Sequence, residues 1–374
     1  MEIPILTRLI IKNFKSFKEE TVIDLAKTNY TLLPQNVADN GVLKGCIFVG
    51  GNASGKSTVI QAIKLLMDLL FSEKDVNYSL FSCLFSEDKS YSLSYEFLID
   101  EHKISYEFEA DTRKISIFEK LYVDEELMME RMGLSAKSYI ASRNGTVYDE
   151  TDISNSSLFL RTLYFNTRFS TNQVLQKWME YLKKTVYINM FDKKLQTYDS
   201  SKFDIYTYLK TNGTKTINSF LEEYNFRQTV EYSSNNNAIF FKNKVHNVLI
   251  PFEKESSGNK AILYILPVIL DSESTNRILL IDNFSSFFHN SLESLLVRYF
   301  MKTAKYSQLI FTSHSTNLLS NSILRPDQEY AVEFIPATGS QVHRFSKQQP
   351  RIAQNIEKMY LSGIFGGLSD YREL

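Results

Sequence analysis

The first third of the chain alternates short apolar runs with polar turns, which predicts strands. Residues 8–17 alternate apolar and polar side chains as a half-buried strand does, and residues 21–25 are suited to be its hairpin partner. Residues 91–98, 103–110 and 114–123 have the pattern of three consecutive antiparallel strands. These runs predict an antiparallel β lobe.

A second pattern indicates a different kind of sheet. Residues 46–49 form a continuous apolar run, typical of a strand buried on both faces, and residues 57–70 carry apolar side chains at helical spacing. Two later apolar runs, 277–282 and 307–314, each end in polar residues. The pattern predicts an α/β core with a mostly buried sheet.

Between these regions the sequence is more polar, with helical patterns at residues 174–184 and 217–224. We therefore predict three parts. Residues 1–123 hold the first part of the core and the β lobe, residues 124–237 are a mainly helical insertion, and residues 238–374 complete the core.

Composition narrows the class of protein. The 42 Lys and Arg residues balance 43 Asp and Glu residues, so no global basic field indicates nucleic acid. Cys46 and Cys83 offer neither a disulfide framework nor metal-ligand spacing, which favours a reducing compartment. The amino terminus lacks a signal-peptide pattern, and the longest apolar run, 261–270, is shorter than the roughly 18 residues of a membrane span. We expect a cytoplasmic protein without a membrane partner.

A group of basic residues in the middle of the chain leaves two interpretations open. Their side chains could contact a polynucleotide backbone, or they could be ordinary solvated helix faces. The residues are Lys177, Lys183, Lys184, Lys193 and Lys194.

The apolar run at 46–49 leads directly into a phosphate-binding motif. Residues 50–57 satisfy the pattern G-x-x-x-x-G-K-[ST], in which glycines allow successive N–H groups to face a pyrophosphate. Lys56 is expected to reach the β- and γ-phosphates, and the Ser57 hydroxyl to join a Mg²⁺ shell. The predicted nucleotide-binding residues are Gly50, Asn52, Ala53, Ser54, Gly55, Lys56, Ser57 and Thr58.

Three later signals fit the same chemistry. Ser256, Ser257 and Gly258 precede an apolar helix, and they either form a second phosphate-binding turn or simply cap that helix. Asp282 ends one apolar strand, as an aspartate that orders Mg²⁺ and its water does. His314 follows another strand and could hydrogen-bond a phosphate or the attacking water.

In this order the motifs resemble those of ABC-type ATPases of the SMC, RecF and overcoming-lysogenization-defect group. The resemblance is closest to the "AAA family" ATP-binding proteins that include RloA, AriA and abortive-infection ATPases. Residues 324–328 and 351–366 resemble the carboxyl-terminal pattern of that subgroup. The resemblance covers about residues 1–120 and 238–374.

The resemblance implies an ABC-ATPase head that uses ATP and Mg²⁺, the metal being held at Ser57 and Asp282. It implies a dimer, or a larger oligomer, in which the Lys56 loop of one subunit faces the signature turn of the other across ATP. The signature residues would be Ser256, Ser257, Gly258, Asn259 and Lys260.

The chain departs from this family at the catalytic position. Relatives follow the strand-ending aspartate with a glutamate that polarises water, whereas this chain has Asn283. An amide cannot accept a proton, so the hydrolysis of ATP to ADP and phosphate is expected to be slow. Three explanations of Asn283 remain open. The protein is a natural switch that binds ATP and rarely hydrolyses it, another group supplies the base, or the residue was substituted to trap the ATP-bound state. No glutamine stands out for the Q-loop, and Ser285 replaces the usual aspartate.

Three functions follow as hypotheses. The first is a sensor or scaffold of an antiphage system that controls a separate toxin or nuclease encoded nearby. The second is a DNA-repair or chromosome-maintenance ATPase that grips duplex DNA. The third is a structural module that binds ATP without hydrolysing it.

Overall fold

A computed structural model describes residues 4–73, 77–140, 148–155, 157–166, 168–199 and 204–368. The strands are β1 (Ile5–Lys12), β2 (Thr21–Asp24), β3 (Gly45–Val49), β4 (Ser90–Ile99), β5 (His102–Asp111), β6 (Ser116–Val123), β7 (Glu126–Met132), β8 (Ser135–Ser138), β9 (Tyr148–Glu150), β10 (Val186–Asn189), β11 (Lys194–Thr197), β12 (Gln228–Ser233), β13 (Ala238–Asn243), β14 (Leu249–Pro251), β15 (Ile278–Asp282), β16 (Gln308–Thr312), β17 (Glu329–Ile335) and β18 (Gly339–Arg344). The helices are α1 (Lys56–Phe71), α2 (Phe159–Phe165), α3 (Gln173–Lys183), α4 (Ile205–Asn212), α5 (Lys215–Glu223), α6 (Ser257–Asp271), α7 (Asn290–Thr303) and α8 (Ile356–Leu361).

The central sheet has the order β11-β10-β15-β16-β3-β17-β18, with its five inner strands parallel. Every residue of β3, β15 and β16 is buried, as their continuous apolar runs predict. Phe48 packs into the core that contains α1, whereas Ile47 and Val49 pack into the core that contains α6 and α7. Helices therefore cover both faces of this sheet, and the predicted α/β class is confirmed.

The predicted β lobe is an eight-stranded antiparallel sheet with the order β2-β1-β4-β5-β6-β7-β8-β9. The predicted hairpin of β1 and β2 and the three antiparallel strands β4, β5 and β6 are confirmed. Alternate residues of β4 and β6 are buried, because one face of the sheet packs on the core that contains α1.

Residues 124–237 differ from the expected mainly helical insertion. Besides helices α2 to α5, this segment contributes β7 to β9 to the antiparallel sheet and β10 and β11 to the central sheet. Its last strand, β12, pairs with β13 in a separate three-stranded sheet, so the boundary predicted at 237/238 falls inside a hairpin. The three-part division stays a prediction, but this middle segment is built of both helices and strands.

Cys46 is a buried residue of β3, as predicted, and Cys83 is also buried. Among the helices described, none combines the length and the apolar character that crossing a membrane requires.

One buried acid stands out at the start of β17. Glu329 is fully buried, and neither of its carboxylate oxygens has a hydrogen-bond partner among the described residues. Burial, and secondarily the nearby Asp327 carboxylate, raises the pKa of Glu329 well above its usual value. Folding therefore favours the neutral form of this side chain.

We expect Glu329→Gln to stabilise the protein increasingly as the pH rises. Below the unfolded-state pKa of about 4.3, Glu329 is protonated in both states, but above it ionisation favours the unfolded chain by up to about 1.4 kcal/mol per pH unit. The advantage of the variant in melting temperature should grow as the pH is raised from about 5, because the folded-state pKa of Glu329 lies well above its usual value. The matched control is Glu107→Gln, at an exposed position of β5. An advantage of Glu329→Gln that is independent of pH would contradict the prediction.

Candidate nucleotide-binding site

The Walker A loop, residues 50–57, connects the carboxyl end of β3 to α1. Its backbone needs glycine at two positions. Gly50 has φ +154°, and a Cβ there would lie 2.2 Å from the Val332 carbonyl oxygen. Gly55 has φ +109°, and a Cβ there would lie 2.4 Å from the Ser340 hydroxyl. Side chains at these positions would push the loop off β17 and β18, so the two glycines set its shape.

An open pocket of about 350 Å³ lies over this loop. It is lined by residues 52–58 together with Ser16, Asn283 and His314. These residues meet because β15, β16 and β3 are neighbours and parallel, which brings their carboxyl ends to one edge of the sheet. The structure thus places the predicted loop, Asn283 and His314 around one cavity.

Asp282 joins three elements at the floor of this site. Its Oδ1 accepts a hydrogen bond from the Ser57 hydroxyl at 2.9 Å and another from the Thr312 hydroxyl at 2.6 Å. Thr312 in turn accepts a hydrogen bond from the backbone N–H of Asn283 at 2.9 Å. The predicted metal-binding pair, Ser57 and Asp282, is therefore in direct contact, and their oxygen atoms are of the type that Mg²⁺ prefers.

Lys56 lies beside the same cluster and is largely buried. Its Nζ donates hydrogen bonds to the carbonyl oxygens of Gly50 and Gly51 at 2.9 and 2.7 Å. Desolvation lowers the pKa of Lys56 to about 8, although the charge of Asp282 acts in the opposite direction. Lys56 is thus a partly desolvated cation at the base of the pocket, which is suited to an anionic ligand.

His314 occupies the exposed rim of the pocket. Partial desolvation, and then the Lys56 charge, lowers its pKa, against the effect of Asp282. The imidazole is therefore mostly neutral at pH 7 and has one nitrogen that can accept a proton. Ser285 holds this loop, because its Oγ accepts hydrogen bonds from the His314 N–H at 3.1 Å and from the Ser313 hydroxyl at 3.0 Å.

Asn283 has a backbone conformation that suits asparagine. Its φ is +58°, in the left-handed region that asparagine adopts more readily than most residues. The asparagine therefore fits the turn after β15, apart from any effect on the chemistry of the pocket.

Some residues at or beside the site are not among those predicted from the sequence. Thr312 falls within the predicted apolar run 307–314, but that pattern gives no sign that its hydroxyl donates a hydrogen bond to Asp282. Ser16 lines the pocket, and its Oγ lies 3.3 Å from that of Thr58. Asn189 does not line the pocket, but it ends β10 in register with Asp282, and its Oδ1 accepts a hydrogen bond from the Asp192 N–H at 3.1 Å.

The predicted signature turn lies outside the pocket of its own chain. Ser256 caps α6 by accepting a hydrogen bond from the Asn259 N–H, and Ser257 and Ser256 are exposed. The Asn259 side chain donates to Gln228 at 2.7 Å and to Glu255 at 3.0 Å. The turn is thus held by these hydrogen bonds, presents the start of α6 to solvent, and lines no part of the pocket over the Walker A loop.

The other two predicted signature residues are also held in place. A Cβ at Gly258 would lie 3.1 Å from the Phe287 carbonyl oxygen, so a side chain there has little space. The Lys260 amino group donates a hydrogen bond to the Glu253 carbonyl oxygen at 2.7 Å.

The predicted basic group is not a uniform set of solvated charges. Lys177 forms an ion pair with Asp100 at 2.8 Å. The amino group of Lys193 lies 5.3 Å from the centre of the Phe287 ring, on the turn after Asp282. Lys183 is the last residue of α3, Lys184 follows it as the C-cap, and Lys194 begins β11. Their contact with nucleic acid stays a prediction.

Solved structures share this architecture. An Smc head domain bound to the C-terminal winged-helix domain of ScpA is 14% identical, with a TM-score of 0.54, covering 90% of this chain and 96% of that one. The Pyrococcus furiosus Smc head with an extended coiled coil, bound to the C-terminal domain of ScpA, is 13% identical, with a TM-score of 0.52, covering 97% and 100%. At such identity the likeness concerns the fold, and it confirms the predicted ABC-ATPase head.

The comparison by sequence is more specific about the family. No curated protein matches the chain. The sequence model of one family does match, over residues 47–320, well over half of the 374 residues. That range runs from β3 through the Walker A loop to the turn after His314, so it contains every residue of the site except Ser16. The chain therefore belongs to the family described as "AAA domain, putative AbiEii toxin, Type IV TA system".

Proposed function

We propose that this protein is an ATP-binding switch that hydrolyses ATP slowly and controls a separate toxin or nuclease in antiphage defence. The main support for an ATP site is the contact of Asp282 with the hydroxyls of Ser57 and Thr312, beside Lys56. The defence role is supported by the family's description as a putative AbiEii toxin of a toxin–antitoxin system.

The proposal gives separate parts to the main residues at the pocket. The N–H groups of the Walker A loop and the Lys56 ammonium bind the phosphates, and Ser57 and Asp282 would hold Mg²⁺. When bound, Mg²⁺ neutralises negative charge on the β- and γ-phosphates. His314, at the rim, contacts the terminal phosphate or the attacking water. Asn283 can orient that water, but its amide cannot take the proton.

The position of the signature turn supports a two-subunit site. Ser256 and Ser257 present the N-terminal end of α6 to solvent, and a helix N-terminus favours an anion. Because this turn does not line the pocket of its own chain, the phosphates it binds belong to a second copy. ATP then joins two copies, and this association is the signal that an effector protein senses.

A second candidate function rests on the shared fold with Smc heads. In that case the protein is a DNA-repair or chromosome-maintenance ATPase whose head dimer binds duplex DNA. DNA-stimulated turnover of ATP and a steep dependence of DNA binding on salt would favour it. Turnover that does not respond to duplex DNA would favour the switch.

The affinity for ATP should fall at alkaline pH. With a pKa of about 8 in the free protein, Lys56 loses its proton above that pH, and phosphate binding must then restore it. We expect the Kd for ATP to be constant below about pH 8 and to rise by up to about tenfold per pH unit above it. Titration with fluorescent ATP between about pH 7 and pH 9.5 measures this. Lys56→Ala should bind too weakly to show the trend, and a constant Kd in the parent protein would refute it.

Restoring a carboxylate at Asn283 should accelerate turnover. Asn283→Glu supplies a proton acceptor at the rim of the pocket, and general-base catalysis contributes typically about 10²–10⁴-fold. We expect phosphate release to rise at least about tenfold. This is less than the full contribution of a general base, because the new side chain is not ideally placed. Asn283→Gln is the matched control, because it has the same length and the same backbone strain but no proton acceptor. Equal rates in both variants would place the base elsewhere, with His314 the next residue to replace.

Blocking the signature turn should separate ATP binding from association. Ser257→Arg places a long cation at the exposed start of α6, where it obstructs a second copy without touching its own pocket. We expect the variant to bind ATP normally but to stay monomeric with ATP and Mg²⁺ in light scattering. Ser274→Arg, exposed just beyond the other end of α6, is the control and should associate as the parent does. ATP-driven association of Ser257→Arg would rule out the two-subunit site.

A further inference from the structure

We propose that the carboxyl-terminal segment, residues 355–368, holds together the two loops that flank the nucleotide pocket, and that Glu357 is a positioning residue for His314. The loops are the Walker A loop and the His314 loop, residues 313–318. This proposal rests on the proposed function, since it concerns how the protein distinguishes ATP from ADP.

The segment is firmly anchored on the central sheet. The rings of Phe345 and Phe365 stack with their centres 3.9 Å apart and nearly parallel. The Tyr360 hydroxyl donates to the Gly367 carbonyl oxygen at 3.1 Å, and the Gly367 N–H donates to a carboxylate oxygen of Glu333 on β17 at 3.3 Å. The aromatic stack and the bond to Glu333 thus fix the end of the segment against the sheet, while the bond from Tyr360 to Gly367 ties the segment to itself.

The end of the segment touches the Walker A loop. The N–H of Gly51 donates to the carbonyl oxygen of Gly367 at 3.0 Å. Gly367 has φ +77°, and a Cβ there would lie 3.0 Å from that of Ala331. This close approach of the segment to β17 requires glycine, and it brings the Gly367 carbonyl oxygen within hydrogen-bond distance of the first turn of the Walker A loop.

The beginning of the segment touches the His314 loop. Glu357, at the start of α8, accepts a hydrogen bond from the Thr316 hydroxyl at 2.6 Å. Thr316 lies two residues after His314, and Ser285 holds His314 itself through its backbone N–H. A further contact, from the Asn321 side chain to the Ile352 carbonyl at 2.8 Å, ties the chain after this loop to the residues before α8. The His314 loop is therefore held by Ser285 on one side and by Glu357 on the other.

The effect of Glu357 on the ligand must be indirect. Glu357 does not line the pocket, whereas His314 does. His314 is assigned to the terminal phosphate or to the water that attacks it, and ADP offers neither, whereas Lys56 also reaches the β-phosphate, which ADP keeps. Loss of the bond between Glu357 and Thr316 should therefore weaken binding of ATP and leave binding of ADP unchanged.

The test compares the affinities for ATP and ADP of the full chain and three variants, measured with Mg²⁺ by fluorescent nucleotide titration. The net contribution of one hydrogen bond predicts a loss of about fivefold in ATP affinity for Glu357→Ala and for Thr316→Val. ADP affinity should match the parent, and the melting temperature should fall by no more than a few degrees, because the bond is also present in the nucleotide-free protein. Glu357→Gln keeps a carbonyl oxygen that can accept from Thr316, and it should restore ATP affinity to near the parent value. Combining Glu357→Ala with Thr316→Val should cost no more than either alone, because both remove the same bond.

The outcomes separate this proposal from the proposed function. Equal loss of ATP and ADP affinity, or unchanged ATP affinity in Glu357→Ala, would overturn the role of Glu357 while leaving the ATP site intact. A parent protein that binds neither nucleotide, or that binds ATP no better than Lys56→Ala, would overturn both.

Discussion

The carboxylate of Asp282 is the point on which the site depends. It is nearly inaccessible to water, so it needs hydrogen-bond donors, and it takes them from hydroxyls at the start of α1 and at the end of β16. These donors reach one oxygen atom only if β3, β15 and β16 run parallel with their ends aligned. The helix that follows the Walker A loop, the turn of Asn283 and the His314 loop are all placed by that alignment.

This dependence explains which parts of the site could be found from sequence. Asp282 and His314 could be located because each follows a continuous apolar run, and such runs are distinctive of strands buried on both faces. The bond between Thr312 and Asp282 could not, because it depends on the order of strands in the sheet. The position of Asn189 beside Asp282 could not be predicted for the same reason, since it follows only from the pairing of β10 with β15.

The middle of the chain shows a different limit of sequence patterns. Strand β7 carries Arg131, a charged residue that a simple pattern assigns to the surface, yet its side chain is fully buried. Arg131 pairs with buried Glu119 at 3.4 Å and donates to the Ser157 carbonyl at 2.7 Å. Glu119 also accepts hydrogen bonds from the N–H groups of Phe159 and Leu160 at the start of α2. A buried ion pair of this kind puts charged residues at buried positions, so it breaks the alternation of apolar and polar residues from which a strand is predicted. The sequence of this segment therefore predicted fewer strands than the structure contains.

Residues 124–237 supply strands to three sheets, which limits how this segment can be removed or exchanged. They supply the strand beside β6 in the antiparallel sheet, the strand beside β15 in the central sheet and the strand beside β13 in the small sheet. Excising them would leave three rows of backbone N–H and C=O groups unpaired, each open to association with another chain. The segment is therefore not a detachable module, and any chimaera that exchanges it must first close those three edges.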